Sequence, residues 1–579
     1  MNEIISTLKI FYSFVARKKF WFIVFIAITI FYGTLYSILP YFYKLFVDGL
    51  ENFNYLTLVK ILIFYVLVRL VALLSSSLSF YVGDILSFDA AISARRTVFK
   101  HIQDLDFAYH ASKSTGSLIS AIKRGDGAMW ELFHAIHHRF SEVLIGFAVM
   151  IYFLGRIDPR IAIFSFVSFV LAIFLTKRLV KINIDARKRH NEEEDKVSAI
   201  IVDNLVNFET VKLFSKENWE LKRLETAFID WLKYGWKFVN TFRLIDISVG
   251  SLINLSIFLV LFFGLTLLKT TKLTTGEFIL ILGFVNSFYP RLFDLVWSFR
   301  DVGKSYTDLQ KYFEILKSEV EIKDPEKPIY LPKVDGEIVF RNVSFSYEKN
   351  KREAVKNINL NIRLGQSVAF VGRSGSGKTT LIKLLMRFYD LDQGKILIDK
   401  TDITKFTKSY LRSFIGIVPQ EPVLFNNTIG YNIGYGKEKQ SKGVIIAAAK
   451  IANLHDFIET LPKKYATHVG ERGIKLSGGQ KQRLAIARMV LSDPDIIIFD
   501  EATSQLDSEN EKLIQEALWR VTKNKTTIII AHRLSTARKA DKIVVMEEGK
   551  IVETGSHNAL INKDKSLYKY FWELQTNTV

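Results

Sequence analysis

Residues 20–39 run without a single charged side chain. A helix of that composition is apolar all round, so it must be buried on every side or lie in lipid. At 1.5 Å per residue it is long enough to cross a hydrocarbon layer of about 30 Å. Further apolar stretches follow at 61–82, interrupted by Arg69, and in two pairs, 143–154 with 161–176 and 247–268 with 278–289. Asp158-Pro159 forces a turn in the first pair, because the residue before a proline is pushed out of the helical region. Six spans are expected, over about 20–46, 56–82, 141–157, 160–177, 247–268 and 277–300. Together they predict an all-α transmembrane domain over residues 1–316.

Charge orients the spans. Lys9, Arg17, Lys18 and Lys19 precede the first, the loop 48–57 has no Lys or Arg, and the connections 84–141 and 177–246 are rich in both. Both termini and both long connections are therefore expected on the cytoplasmic side. The first apolar run is too long for a signal-peptide core and reads as a retained anchor. The long connections contain no proline. As helices they would carry the spans roughly 35–40 Å beyond the bilayer. Breaks at 112–116 and 207–210 read as short transverse helices that dock on a neighbouring domain. Lys and Arg concentrate in the segments between the apolar spans, and no groove-reading motif accompanies the net charge of +19; nucleic acid is not an expected partner. The absence of cysteine excludes disulfides and thiolate metal ligands.

Residues 317–336 are charged, contain three prolines and read as a linker. Residues 337–579 alternate β-rich and helical segments, as an α/β domain does. Within them, residues 372–379 (Gly-Arg-Ser-Gly-Ser-Gly-Lys-Thr) fit G-x-x-x-x-G-K-[ST] at every fixed position, between a strand-like run at 367–371 and a helix-like one. Such a loop turns its backbone N–H groups onto phosphate oxygens. Gly372, Ser374, Gly375, Ser376, Gly377 and Thr380 belong to this cradle, Lys378 brings a cation to the outer phosphates, and the Thr379 hydroxyl is placed for Mg²⁺. A second apolar run, 496–499, ends in Asp500-Glu501. Asp500 suits Mg²⁺, and Glu501 is placed to orient or deprotonate an attacking water.

Leu476-Ser477-Gly478-Gly479-Gln480 resembles the signature of ATP-binding-cassette (ABC) transporters, and other motifs match that family in order. The resemblance implies that Tyr347 stacks on adenine and that Gln420 contacts Mg²⁺ and senses the membrane domain. It implies that Asp507, in Ser504-Gln505-Leu506-Asp507, links the two nucleotide sites and that His532 contacts the γ-phosphate. Glu471-Arg472-Gly473 is similar to the segment that meets the transverse helices. Gln505 departs from the small residue usual there, which puts coupling between the sites in question. The whole chain is thus similar to a half-size type IV exporter, whose function is ATP-driven export of a small, amphipathic or lipid-like molecule by alternating access. One nucleotide-binding domain per chain implies a homodimer, or a dimer with a homologous half-transporter, each loop facing the partner's Ser477–Gln480. ATP and Mg²⁺ are the implied cofactors and the bacterial plasma membrane the implied location. A gated channel, a regulatory membrane ATPase or an importer would use the same motifs.

Asn207-Phe208-Glu209-Thr210-Val211-Lys212-Leu213-Phe214 is similar to a stretch of the mitochondrial-type and heavy-metal-tolerance exporters, as are the runs at 113–116 and 123–125. That resemblance implies glutathione-linked or metal–thiol cargo, although it lies in coupling regions rather than in a pocket. Arg69 and Arg291, charged residues inside spans, are the candidates for meeting an anionic group on the cargo. Arg291 has a second reading, as the i,i+3 partner of Asp294.

Overall fold

The computed structural model describes residues 2–51, 55–113, 115–270, 272–347, 353–437, 439–500, 508–531 and 533–576. They form two compact units. Residues 1–105 and 113–319 make the first, and residues 106–112 with 320–579 make the second.

The first unit is helical. After α1 (Asn2–Val15) come α2 (Lys19–Glu51), α3 (Tyr55–Asp104), α4 (Phe107–Ser112, which belongs to the second unit) and α5 (Thr115–His134). A π-helical segment, Ala135–Phe140, joins α5 to α6 (Ser141–Ile157). Then come α7 (Pro159–Val206), α8 (Phe208–Leu213), α9 (Glu217–Lys269) and α10 (Thr275–Glu314). Among the described residues six helices are long and apolar enough to cross a membrane, and the all-α, six-span expectation holds. Many of their large side chains, such as Leu62, Phe64, Leu73, Leu74, Phe166 and Phe174, are exposed in the protein alone, as a face meant for lipid should be.

Local chemistry explains the helix ends. Asp158 caps α7 by accepting from Arg160 N at 2.8 Å, with Pro159 in the first turn, where its missing N–H costs nothing. Thr274 and Glu277 form a reciprocal capping box at the start of α10. The 48 residues of α7 and 53 of α9 correspond to roughly 70–80 Å of helix, far more than the bilayer requires. The two pack along their length, held in the buried middle by Asn183 Nδ2 donating to Thr241 Oγ1 at 2.6 Å. The short helix expected at 112–116 as a transverse element differs in position: a six-residue helix lies at Phe107–Ser112 instead. Asp106 leaves the helical path because its carboxylate accepts from Glu321 N (2.6 Å) and Ile322 N (3.1 Å), an anchor no local pattern announces.

The second unit holds two sheets. The strands are β1 (Ile338–Phe345), β2 (Val355–Ile362), β3 (Ser367–Val371), β4 (Gln393–Ile398), β5 (Thr401–Asp402), β6 (Ile415–Val418), β7 (Ile496–Asp500), β8 (Thr526–Ile530), β9 (Lys542–Glu547) and β10 (Lys550–Gly555). Four make an antiparallel sheet in the order β2-β1-β4-β5, and six make the order β10-β9-β3-β8-β7-β6. From β9 to β6 the large sheet is parallel. Parallel strands carry cover on both faces. Accordingly all of β8 and the first four residues of β7 are buried. One face packs on the helix Gly478–Ser492 and its neighbours, the other on β1, β2, β4 and α11 (Lys378–Leu385).

The C-terminal helix Leu567–Thr576 is pinned by one carboxylate. Glu553 on β10 accepts from Leu567 N and Tyr568 N (both 3.2 Å) and from Ser566 Oγ (2.9 Å), at a helix N-terminus that favours negative charge. Burial alone would raise its pKa, but these donors outweigh it and hold the carboxyl below its usual range. Glu553→Gln should therefore destabilise this unit at neutral pH by about 1–3 kcal/mol. The carboxylate's contribution is complete above the unfolded value of about 4.3 and is lost as pH falls through the lower folded value. Thermal unfolding of wild type and variant across pH should show a gap at neutrality that closes in acid.

Candidate nucleotide site

In a parallel sheet the loops after the strands share one edge, which is where such folds bind ligands. Here β3, β6, β7 and β8 deliver four segments to that edge: the glycine-rich loop, Gln420, Asp500 and the segment entering residue 532. Register confirms the alignment, with Val418 opposite Phe499 and Asp500 opposite Ile530.

The loop is built around backbone that a side chain would spoil. Gly375 and Gly377 have φ of +78° and +102°. A Cβ at Gly377 would also lie 2.7 Å from the Ala354 carbonyl oxygen. Lys378, 5 % exposed, folds back so that its Nζ donates to Gly372 O (2.8 Å) and Arg373 O (3.0 Å). The loop's own carbonyls thus hold the ammonium above the cradle where phosphate oxygens would compete for it. Thr379 is exposed in the first turn of α11, and Ser376 and Thr380 are buried beneath the loop. Ser374, Gly375 and Arg373 stand open to solvent.

Tyr347 reaches the same helix. Its hydroxyl lies 3.1 Å from Thr380 Oγ1, and its half-exposed ring meets Phe345 and Tyr389 edge-on at centroid separations of 5.1 and 5.2 Å. Lys383 of α11 has its Nζ 5.8 Å from the Tyr347 ring and 5.5 Å from that of Phe107 on α4. Phe107 in turn stacks on Phe388 at 5.0 Å. The loop helix therefore touches both an exposed aromatic and the transverse helix, a link the sequence pattern did not reveal.

Ser477–Gln480 begins the helix Gly478–Ser492 with a capping box: Gln480 Oε1 accepts from Ser477 N at 2.9 Å, and Ser477 Oγ accepts from Gln480 N at 3.4 Å. Ser477 and Gly478 are exposed, whereas Gly479 is pressed against Asn510. Gln482, two residues on, donates to the carbonyls of Pro419 and Gln420. Arg483 donates to Asn453 O (3.1 Å) and Asn510 Oδ1 (3.0 Å). Sequence reasoning missed both; their one signal is a pair of long polar residues beside an otherwise apolar helix face. Glu501, Asp507 and His532 lie outside the described residues, as does Gln505.

The span arginines are not brought together. Arg69 is exposed and lies near Tyr43, while Arg291 is half-buried and near Tyr32. Those tyrosines are roughly three turns apart on α2. Among the described residues no ion pair joins Arg291 to Asp294, which faces out.

Two family profiles match: one described as "ABC transporter transmembrane region" over residues 22–290, and one described as "ABC transporter" over 355–504. ATP-binding cassette sub-family B member 6 of Mesocricetus auratus is 38% identical over 83% of this chain and 57% of its own length. ABC transporter B family member 6 of Dictyostelium discoideum is 37% identical over 85% of this chain and 76% of its own. Heavy metal tolerance factor 1 of Caenorhabditis elegans is 36% identical over 83% and 60%. The chain thus spans little more than half the length of several of these relatives. A solved structure of a bacterial Atm1-family ABC exporter with ATP bound superposes with a TM-score of 0.88 at 32% identity, over 97% of this chain and 98% of that one.

Replacing Gly377 by alanine should abolish nucleotide binding without unfolding the unit. The positive φ and the Ala354 carbonyl together forbid the cradle's shape. Equilibrium binding of a fluorescent ATP analogue, alongside a melting curve, checks this: lost binding with a melting temperature near that of wild type is the expected pair.

Proposed function

Because the chain belongs to the ABC transporter family, with its transmembrane region and its ATPase region on one polypeptide, we propose that two copies form an ATP-driven exporter working by alternating access. The observation that carries this reading is the division of labour in the second unit: a phosphate cradle and an exposed Ser477–Gly478 on separate elements of one chain. ATP held by Lys378 and the loop amides of one copy would be capped by Ser477–Gln480 of the other. The nucleotide then has higher affinity for the closed pair than for the open one, which is the differential a ligand needs to drive a conformational change.

Within the site, Tyr347 would stack on the base and the loop would hold the phosphates. Thr379, Gln420 and Asp500 offer only oxygen donors, the set a hard cation such as Mg²⁺ takes, and they would hold it there. When bound, Mg²⁺ neutralises phosphate charge. Glu501 would orient or deprotonate the attacking water, and His532 would contact the γ-phosphate. Asp507 would carry the state of one site to the other.

Motion would leave the site through α4, whose Phe107 rests on Phe388 beside Lys383. A second contact is offered by α8, where Phe208, Leu213 and Phe214 form an exposed apolar tip, with Leu205 and Val206 just before it. In the dimer that tip would rest on the partner's ATPase unit. Gln482 is a positioning residue in this scheme, bracing the loop that carries Gln420.

For cargo, a small amphipathic or lipid-like molecule is proposed, with thiol conjugates the first class to test, given relatives named for heavy-metal tolerance. Arg69 and Arg291 would act at separate levels of the membrane domain. The bacterial plasma membrane is the proposed location, with the ATPase unit cytoplasmic.

Glu501→Gln should retain ATP binding, lower hydrolysis by about 10²–10⁴-fold, and accumulate closed dimers. Near-normal turnover would remove Glu501 from its role. Vectorial, ATP-dependent uptake of a labelled cargo into inverted vesicles would separate an exporter from a channel or a regulatory ATPase, which move none, and from an importer, which moves it the other way.

A further inference from the structure

His532 lies outside the described residues, but both its neighbours in the chain are placed. Ala531 N donates to Phe370 O at 3.1 Å, which ties the end of β8 to β3, the strand that leads into the glycine-rich loop. On the other side, Arg533 is the N-cap of a short helix, Leu534–Ala537, and makes no side-chain capping bond there. A helix of one turn does not sustain itself. Its position depends on partners from outside.

Two elements supply them. The Arg533 guanidinium pairs with the carboxylate of Glu511, in the first turn of the helix Ser508–Val521. Gln515, one turn further on, donates to Glu511 Oε1 at 3.1 Å and to Thr536 Oγ1 at 3.4 Å. From the C-terminal helix, Gln575 Oε1 accepts from Leu534 N at 2.9 Å. Beneath these bonds, Leu534 and Ala537 share one buried core with Ile514, Ala517 and Leu518.

The ion pair is lopsided. The Glu511 side chain is 13 % exposed and that of Arg533 38 %. A carboxylate so far out of water needs its partners, and the helix N-terminus and Gln515 fix it independently of Arg533. Arg533 is therefore the side chain that is positioned, and its backbone adjoins His532. The anchor is itself seated: Asn510, next to Glu511, accepts from Arg483 at 3.0 Å and presses on Gly479. Both belong to the helix Gly478–Ser492, which begins at the exposed Ser477–Gly478 segment.

We propose that Glu511 is a positioning residue for ATP hydrolysis: through Arg533 it fixes the backbone from which His532 reaches the γ-phosphate. Glu511 touches no reacting atom in this scheme. Its loss lets the segment after β8 drift, and a misplacement of about 1 Å costs roughly 10–100-fold in rate. The base and inner phosphates are held by Tyr347 and the loop, on other elements, so the effect falls on the γ-phosphate. The inference rests on the role proposed above for His532.

The test uses the full chain in lipid and measures ATP hydrolysis alongside equilibrium binding of ADP and of a non-hydrolysable ATP analogue. Glu511→Gln should lower hydrolysis about tenfold and weaken the analogue, while ADP affinity and melting temperature stay near those of wild type. Arg533→Gln, at the more exposed end of the pair, should give the same profile, and it carries the test where the Glu511 variant does not fold. His532→Ala should also weaken the analogue. Adding Glu511→Gln or Arg533→Gln to it should weaken the analogue no further, because residues that act as a unit are not additive. Equal losses for ADP and the analogue, an additive loss in the double variant, or near-normal hydrolysis in either folded single variant overturns the proposal. Unchanged hydrolysis and analogue binding in His532→Ala overturns the role given to that histidine, and this inference with it. Absence of hydrolysis in the wild type overturns the exporter reading as well.

Discussion

Hydrocarbon offers the polypeptide backbone no hydrogen-bond partner, and much of the membrane unit follows from that. Its spans must be helices that satisfy themselves internally. The same helices continue past the lipid because nothing in the sequence stops them: 84–141 and 177–246 lack proline. In α7 and α9 above all, span and lever are therefore one continuous helix.

The second unit obeys a different constraint, the need to place several chemically distinct groups within reach of one triphosphate. A parallel sheet does this by geometry, sending every strand's exit to one edge. The strained glycines then let backbone amides replace side chains as the ligand-facing surface. Lys378 shows the economy of the arrangement: the loop carbonyls that accept from its ammonium keep a buried charge satisfied. Lys383, one turn later on the same helix, stands against both Tyr347 and Phe107. A change of occupancy at the loop thus has a short physical route to the transverse helix.

Features encoded locally were legible in the sequence. The glycine-rich loop, the acid-tipped strand and the six apolar runs each depend on neighbours in the chain, and each stands where its pattern placed it. What could not be read depends on partners far away. The first transverse helix falls earlier than expected because Asp106 answers to the amides of Glu321 and Ile322. Gln482 gains its place from carbonyls of the segment after β6. The π segment left no trace in composition, since one added residue shifts helical phase without altering which residue types are present. Arg291 and Asp294 had the spacing of a pair, yet one turns toward Tyr32 and the other outward.

The central claim is that ATP closes two copies of this chain upon one another, each phosphate loop against the partner's Ser477–Gln480. The chain contains no cysteine, so Lys475→Cys, at an exposed position beside that segment, yields one label per copy. A pulsed electron-resonance distance between the two labels, recorded in lipid with and without a non-hydrolysable ATP analogue, addresses the claim directly. The account predicts a single shorter, narrower distance distribution when the nucleotide is bound. A distribution unchanged by nucleotide, or the absence of any distance between copies, would contradict it.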